Sequence, residues 1–373
     1  MKAFAIVSVL AISFSVFAAC TFLVDAKAEN SWMPLSRMPS ARAGFGVAEV
    51  NGKIYAMGGW NKNQTNFLAV NEEYDPAANA WVEKAPMPTA RVSFATAVYQ
   101  NKVYTFGGQV LDVNGKRIVI DVTEVYDPAT DTWTRKAPLP RPAEDFGAAV
   151  IGDRIYVIGT QTDVYDPATD SWSAKAPIPK AIAHSAYAVL DDEVYVISGN
   201  FHGNDPSLYE PINLNQIYNS QRDEWRTGAS IPTSVASAAG VATVGAAAPK
   251  AVYVVGGLVV SLNEAGGYVF NPQSLVQVYF PENNSWSLGA SMPTARYSLS
   301  AVAVDDAVYV LGGSYSMAPP DSADNELYLP YGWGTMQKGG LPLGTVLGAL
   351  GAVAIAVVVI VVVYAEKRHR TKT

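Results

Sequence analysis

Short apolar segments that end at glycine recur along the chain. Lys53–Met57 precedes Gly58-Gly59, and Ala251–Val255 precedes Gly256-Gly257. β-branched and aromatic residues dominate these segments, and such residues favour strands. Asn51-Gly52, just before the first segment, is typical of a tight hairpin turn. The pattern therefore predicts antiparallel strands rather than helices.

Tryptophans mark an internal repeat. Each of six tryptophans is followed seven residues later by proline, and five are followed 27 residues later by a glycine pair or its remnant. A tyrosine stands seven residues before five of them. The six are Trp32, Trp81, Trp133, Trp172, Trp225 and Trp286. We interpret each repeat as four strands: A opens near the tenth residue after tryptophan, B ends at the glycines, C carries the tyrosine and D the tryptophan.

These residues resemble the kelch repeat family. The double glycine, the spaced tyrosine and tryptophan, and the Met-Pro-x-x-Arg run at 87–91 and 292–296 form its motif. The resemblance extends over about residues 31–329 in six copies and implies an all-β, six-bladed β-propeller within residues 29–330. Repeats three and four depart from the pattern at Gly159-Thr160 and Ser198-Gly199. We expect both blades to persist with altered local packing.

The spacing also predicts how the ring closes. Trp32 has no strands A to C before it, and Tyr328 has no tryptophan seven residues after it. The N-terminal segment should therefore provide strand D of the last blade, which removes a loose sheet edge. The alternative is a final strand D that begins at Trp333.

Both ends of the chain have the pattern of targeting segments. Residues 1–28 predict a signal peptide cut after Ala28, with an uncleaved anchor as the alternative. After a linker at 331–340, residues 341–364 carry no charge and would span ~36 Å as one transmembrane helix. The basic tail at 365–373 marks the cytoplasmic side. We expect a single-pass plasma-membrane protein with its propeller outside the cell.

Small residues in the predicted membrane helix indicate possible self-association. Gly344, Gly348, Ala352 and Ala356 recur every four residues and would share one helix face. Such faces let membrane helices approach closely, so a homo-oligomer is possible. The alternative is the ordinary small-residue content of a membrane helix.

Charge and composition exclude several functions. Residues 29–339 carry 20 Lys/Arg and 31 Asp/Glu, a net charge of -11 that disfavours nucleic-acid binding.

Cys20 is the only cysteine, so no intramolecular disulfide or multi-cysteine metal site can form. Secreted kelch proteins that resemble copper radical oxidases need a Tyr–Cys crosslink and two histidine ligands. The chain after residue 28 has no cysteine, and its only histidines outside the tail are His184 and His202, so we exclude this activity. We expect no cofactor and no catalysis. The alternative is a sugar-modifying enzyme, since a few kelch proteins resemble sialic acid epimerases.

Binding is the favoured function. In kelch propellers the B–C and D–A loops share one face, where ligands usually dock. Aromatic residues on these loops, among them Trp60, Phe201 and Tyr315, suit recognition of a protein or glycan.

Arginines ten residues after the tryptophan are the second set of candidates. Arg42, Arg91 and Arg296 belong to neighbouring blades one, two and six. The resemblance implies contact with an acidic ligand, and guanidinium groups grip carboxylates well. The alternative is that each arginine only caps loop carbonyls.

Two glycosylation sequons agree with export. Asn63 and Asn283 each begin an Asn-x-Ser/Thr motif in a predicted loop.

Overall fold

The computed structural model describes residues 28–63, 66–201 and 210–334. These residues form thirty short strands, and none of them lies in a helix. In chain order the first fifteen are β1 (Ser31–Pro34), β2 (Gly46–Val50), β3 (Lys53–Met57), β4 (Asn71–Asp75), β5 (Ala80–Lys84), β6 (Ala95–Tyr99), β7 (Lys102–Phe106), β8 (Gln109–Leu111), β9 (Arg117–Val119), β10 (Thr123–Asp127), β11 (Thr132–Lys136), β12 (Gly147–Ile151), β13 (Arg154–Ile158), β14 (Thr162–Asp166) and β15 (Ser171–Ala174). The second fifteen are β16 (Ile182–Ala183), β17 (Ala186–Leu190), β18 (Glu193–Ile197), β19 (Asn200–Phe201), β20 (Asn215–Asn219), β21 (Glu224–Thr227), β22 (Ala239–Thr243), β23 (Ala251–Val255), β24 (Leu258–Leu262), β25 (Tyr268–Pro272), β26 (Val276–Phe280), β27 (Ser285–Leu288), β28 (Ser300–Val304), β29 (Ala307–Leu311) and β30 (Asn325–Leu329).

Six antiparallel sheets of four strands each form the blades. From strand A to strand D they are β2-β3-β4-β5, β6-β7-β10-β11, β12-β13-β14-β15, β17-β18-β20-β21, β22-β23-β26-β27 and β28-β29-β30-β1. The A strands of successive blades neighbour one another around the axis, and the last contacts the first. The predicted six-bladed propeller is confirmed, and the two divergent repeats keep all four strands.

The same polar clamp joins each blade to the one before it. In blade two, the Trp133 indole donates to the Ala85 carbonyl at 2.9 Å. The Tyr126 hydroxyl donates to Asp131 at 2.6 Å, and that carboxylate also accepts the Ala85 N–H at 2.9 Å. Equivalent contacts recur in all six blades. The buried tyrosines and half-buried tryptophans thus gain partners for their polar atoms while filling the space between sheets.

The N-terminal strand closes the ring. β1 pairs with β30, which places Trp32 opposite Tyr328. The Trp32 indole donates to the Ala290 carbonyl at 2.8 Å, so the closing clamp matches the other five. The alternative in which Trp333 begins the closing strand is wrong, because Trp333 lies in a turn and packs against the core of blade six. The predicted closure by the N-terminus is confirmed.

Strand A starts later than the spacing predicts. It begins fourteen residues after the tryptophan in every blade, as Gly46 does after Trp32. The tenth residue after the tryptophan lies four positions before strand A, in the connection between strands D and A. It is therefore not the first residue of strand A.

The predicted targeting segments mostly lie outside the described residues. This holds for 1–27 of the signal peptide, for 335–340 of the linker, and for all of 341–364 and 365–373. Within the described part of the chain, no helix is long and apolar enough to cross a membrane.

Candidate functional site

Two extra hairpins rise from one face of the propeller. The B–C connection of blade two contains the hairpin β8–β9, and that of blade five contains β24–β25. Blades two and five are three positions apart in a ring of six, so the hairpins stand on opposite sides of the axis. We name the surface formed by the B–C and D–A loops the hairpin face.

Aliphatic side chains are exposed on both hairpins. In and beside β8–β9, Val113 is fully exposed and Ile118 is 41% exposed. In β24–β25, Leu262 is 54% exposed and Val269 is 36% exposed. Because burial of such side chains is favourable, two aliphatic tips on one face indicate a surface suited to a partner.

A depression of about 520 Å³ lies between the hairpins at the mouth of the central channel. Its lining includes a D–A loop residue from every blade, together with Trp60, Lys62 and Arg117 from the B–C loops of blades one and two on one side and His184 and Tyr187 of blade four on the other. This volume lies within the ~300–1,000 Å³ typical of small-ligand sites.

Six residues encircle the depression at equivalent positions. Each stands twelve residues after its tryptophan and has a left-handed backbone, with φ between 50° and 60°. We name this ring the collar, and its members are Gly44, Ser93, Asp145, His184, Ser237 and Ser298. At five of its six seams a backbone N–H donates to the collar carbonyl of the blade before, as Ser93 does to Gly44 at 2.9 Å and Ser298 does to Ser237 at 2.8 Å.

The collar contains a buttressed ion pair between blades three and four. His184 Nε2 lies 3.0 Å from Asp145 Oδ2, and His184 Nδ1 lies 3.0 Å from Asn200 Oδ1. Burial alone would lower the pKa of His184, but the charge of Asp145, hydrogen bonds to Asp145 and Asn200, and the charge of Glu144 raise it to about 9. With 44% of its side chain exposed, His184 is a cation at neutral pH that remains in contact with water.

Aromatic and cationic side chains form a second contact on the opposite wall. The Arg117 guanidinium lies 4.9 Å from the Trp60 ring centroid and 5.5 Å from that of Phe67. This contact joins the blade-two hairpin to the blade-one loop. Lys62 lies 3.3 Å from Asp321 and donates to the Tyr297 hydroxyl at 3.2 Å, which joins the loops of blades one and six.

The three arginines predicted to face a ligand are not on the surface, so that prediction is corrected. Arg42, Arg91 and Arg296 are all fully buried. Each pairs with a strand C glutamate of its own blade: Glu72, Glu124 and Glu326 respectively.

Blade two shows why the guanidinium is held inside. Arg91 lies 2.9 Å from Glu124 and also donates to the Gly107 carbonyl at 3.2 Å, the Val122 carbonyl at 3.0 Å and the Thr105 hydroxyl at 2.6 Å. Burial lowers the pKa of Arg91 to about 10, against the pull of Glu124, so the group stays charged at neutral pH. Capping of loop carbonyls, the alternative we weighed, describes this contact better than ligand binding.

A sequence signal for these pairs exists. Wherever position ten is arginine, the residue two before the strand C tyrosine is glutamate. Where position ten is Ile182 or Val235, that residue is Gln216 or Gln277. Because arginine occurs with glutamate, and an apolar residue with glutamine, this pairing of residue types identifies the arginine's partner from sequence alone.

The aromatic candidates have different surroundings. Trp60 lines the depression. Tyr315 is half-buried; its hydroxyl donates to Asp324 at 2.5 Å and lies 2.9 Å from the Ser322 hydroxyl within its own loop. Phe201 lies in β19, paired with Ile182.

The two predicted glycosylation residues are exposed. Asn63 lies in the B–C loop of blade one and Asn283 in the C–D turn of blade five. Glycosylation at either residue stays a prediction. Among the described residues, no group of three His, Cys, Asp or Glu side chains could hold a metal ion.

Comparison with known proteins agrees with this architecture. The kelch motif family matches residues 41–88 and 90–140. A solved structure titled "Structure of YjhT" has a TM-score of 0.67 and 15% identity, and the match covers 78% of this chain and 95% of that one. At such identity the likeness concerns the fold alone.

Curated relatives match short stretches. Mouse Kelch-like protein 1 is 49% identical over 41 residues, 11% of this chain, and chicken Kelch-like protein 7 is 40% identical over 48 residues, 13% of this chain. The mouse Influenza virus NS1A-binding protein homolog is 31% identical over 126 residues, 34% of this chain. The matches cover 6%, 8% and 11% of those proteins. The chain thus carries kelch motifs at residues 41–88 and 90–140 and folds as a six-bladed β-propeller.

Proposed function

We propose that this protein is a membrane-anchored, extracytoplasmic binding module whose hairpin face holds a partner protein. The observation that carries the proposal is the pair of opposed hairpins with exposed aliphatic side chains, Ile118 on one and Leu262 on the other. Kelch propellers are typical protein-binding modules, and one relative is named for binding the NS1A protein.

The route of the chain supports an outward-facing orientation. β30 runs away from the hairpin face, and the Gly334 N–H donates to the Ala247 carbonyl in the A–B turn of blade five at 2.7 Å. The chain therefore leaves the propeller on the face opposite the hairpins. Only residues 335–340 separate this exit from the predicted membrane segment, a reach of at most ~20 Å. An anchor at 341–364 would keep the exit face near the bilayer and direct the hairpins outward.

The anchor is tested by protease digestion. Protease added to intact cells should remove the propeller and leave the C-terminal tail protected inside. A propeller protected in intact cells would contradict the proposed topology.

The partner site is tested with charges placed on the hairpins. Ile118→Asp combined with Leu262→Asp should weaken capture of the partner protein by the full chain at least about tenfold, because a carboxylate cannot be buried unpaired at low cost. Val82→Asp with Leu288→Asp is the matched control, since these aliphatic residues are 56% and 59% exposed but lie on outer D strands.

Quantitative proteomics of crosslinked cells provides the measurement. The proposal requires at least one protein that the wild type and the control capture but the hairpin variant loses. Equal capture by all three proteins would contradict it.

The second candidate is an enzyme acting on sugars. The observation in its favour is the convergence of Asp145 and His184 at the depression. Both imidazole nitrogens, however, already face protein acceptors, and the raised pKa of His184 keeps the ring protonated, so it cannot act as a base at neutral pH. Turnover of a sugar that His184→Gln abolishes would favour this candidate over the binding module.

A further inference from the structure

The collar places side chains where its backbone favours glycine. Left-handed φ values carry little cost for glycine and a steric cost for other residues. Blade one has Gly44 there, but the five other blades have side chains at φ between 50° and 56°. The conformation recurs in every blade, and the five side chains that it carries all line the depression.

Three of these side chains are serines with available hydroxyl groups. Among the residues that the structure describes, the hydroxyls of Ser93, Ser237 and Ser298 have no hydrogen-bond partner. All three side chains line the depression and are half-buried. Each hydroxyl can donate one hydrogen bond and accept two, so the collar presents several unused polar groups to one space.

The charges around the depression are largely compensated. His184 is paired with Asp145, and Lys62 lies 3.3 Å from Asp321. Arg117 is the remaining cation in the lining, and its guanidinium covers the Trp60 and Phe67 rings. A site with compensated charges and free hydroxyls matches a ligand that both donates and accepts hydrogen bonds better than it matches an anion, which only accepts.

We propose that the collar binds a compact polyol, such as a single sugar ring, through the hydroxyls of Ser93, Ser237 and Ser298. The His184–Asp145 pair stands beside these hydroxyls and offers further polar contact. This site goes beyond the protein-binding face proposed above, because it lies at the channel mouth and uses none of the exposed hairpin side chains.

The serine hydroxyls can be removed without straining the backbone. In the triple variant Ser93→Gly, Ser237→Gly, Ser298→Gly, every change introduces the residue that the left-handed backbone prefers, and Gly44 already shows that the collar accepts it. The matched control is Asn101→Gly, an exposed left-handed position with φ 58° in the A–B turn on the opposite face.

Saturation-transfer NMR on the full chain, in a detergent without a sugar headgroup, provides the measurement. The probes are glucose, galactose, N-acetylglucosamine and myo-inositol, with acetate and glucuronate as carboxylate comparators. At least one uncharged probe should bind the wild type and Asn101→Gly equally, and the triple variant should bind it at least about tenfold more weakly. The melting temperature of the triple variant should be unchanged or higher.

Three results would overturn the proposal. They are no binding of any uncharged probe, binding confined to acetate and glucuronate, and equal affinity for wild type and triple variant. If the triple variant does not fold, the three single Ser→Gly variants carry the same test, and unchanged affinity in all of them overturns the proposal as well.

Discussion

Two parts of the ring fill the same internal space in different ways. In blades six, one and two, a buried arginine from the D–A loop meets a strand C glutamate. In blades four and five, an apolar residue takes the place of the arginine and a glutamine that of the glutamate. The Gln277 amide accepts the Thr233 N–H at 2.8 Å and donates to the Thr233 carbonyl at 2.9 Å. Gln216 contacts the Lys180 backbone in the same way.

The comparison shows that the arginine is one of two solutions to a structural problem. Both arrangements hold the D–A loop against strand C, one with an ion pair and one with a neutral amide. Blade three is intermediate: Ala143 stands at position ten, and Arg141, 43% exposed, reaches Asp163 from two residues earlier. Arginine at this position is therefore interchangeable with an apolar residue when the strand C residue changes with it.

Loss of the tryptophan of the polar clamp, which all six blades share, should lower the free energy of unfolding more than any other change considered. Trp32→Ala in the closing blade and Trp225→Ala in blade four should each lower the free energy of unfolding by ~3–5 kcal/mol, because each removes a large packed ring. Denaturant titration of the full chain in detergent measures both. A much smaller loss for Trp32→Ala would show that closure by β1 contributes little.

Removal of one partner should cost more unfolding free energy in the charged arrangement than in the neutral one. Arg91→Val leaves Glu124 buried without its cation and should cost ~3–5 kcal/mol of unfolding free energy. Gln277→Leu leaves two backbone groups of Thr233 without partners and should cost ~1–3 kcal/mol. The same denaturant titration compares them, and equal losses would contradict the distinction between the two arrangements.

The His184–Asp145 pair should add a small, pH-dependent contribution at the seam of blades three and four. The pKa of His184 is raised to about 9 from an ordinary value of ~6.5, so its stabilisation is fully present below ~6.5 and is lost as the pH rises through 9. The difference in melting temperature between wild type and His184→Gln should therefore shrink from pH 6 to pH 10. A difference that does not change with pH would show that the pair is not charged.

The sequence predicts the architecture well because the fold repeats. Six recurrences of tryptophan and tyrosine locate the strands, and the unmatched Trp32 predicts the closing strand that pairs with β30. The predicted start of strand A is nevertheless four residues too early. With that start, the arginines ten residues after the tryptophan are predicted to face a ligand, whereas the structure buries them inside their blades.

The candidate site is harder to predict because its parts come from different blades. Asp145 and His184 are 39 positions apart and meet only when two blades are side by side. The collar follows from a regular spacing, twelve residues after each tryptophan, but its left-handed backbone is a property of the folded loops. The two hairpins lie in the B–C connections, the one segment whose length varies between repeats.

A double-mutant cycle at blade two tests the central claim, that these arginines are structural members of interchangeable pairs. The four proteins are wild type, Arg91→Val, Glu124→Gln and the double variant, which reproduces the residues of blade five. We predict that the double variant is within about 1 kcal/mol of wild type in unfolding free energy, since well-fitted neutral groups often replace a buried ion pair without loss. A double variant that loses as much as the sum of the two single changes would contradict the account.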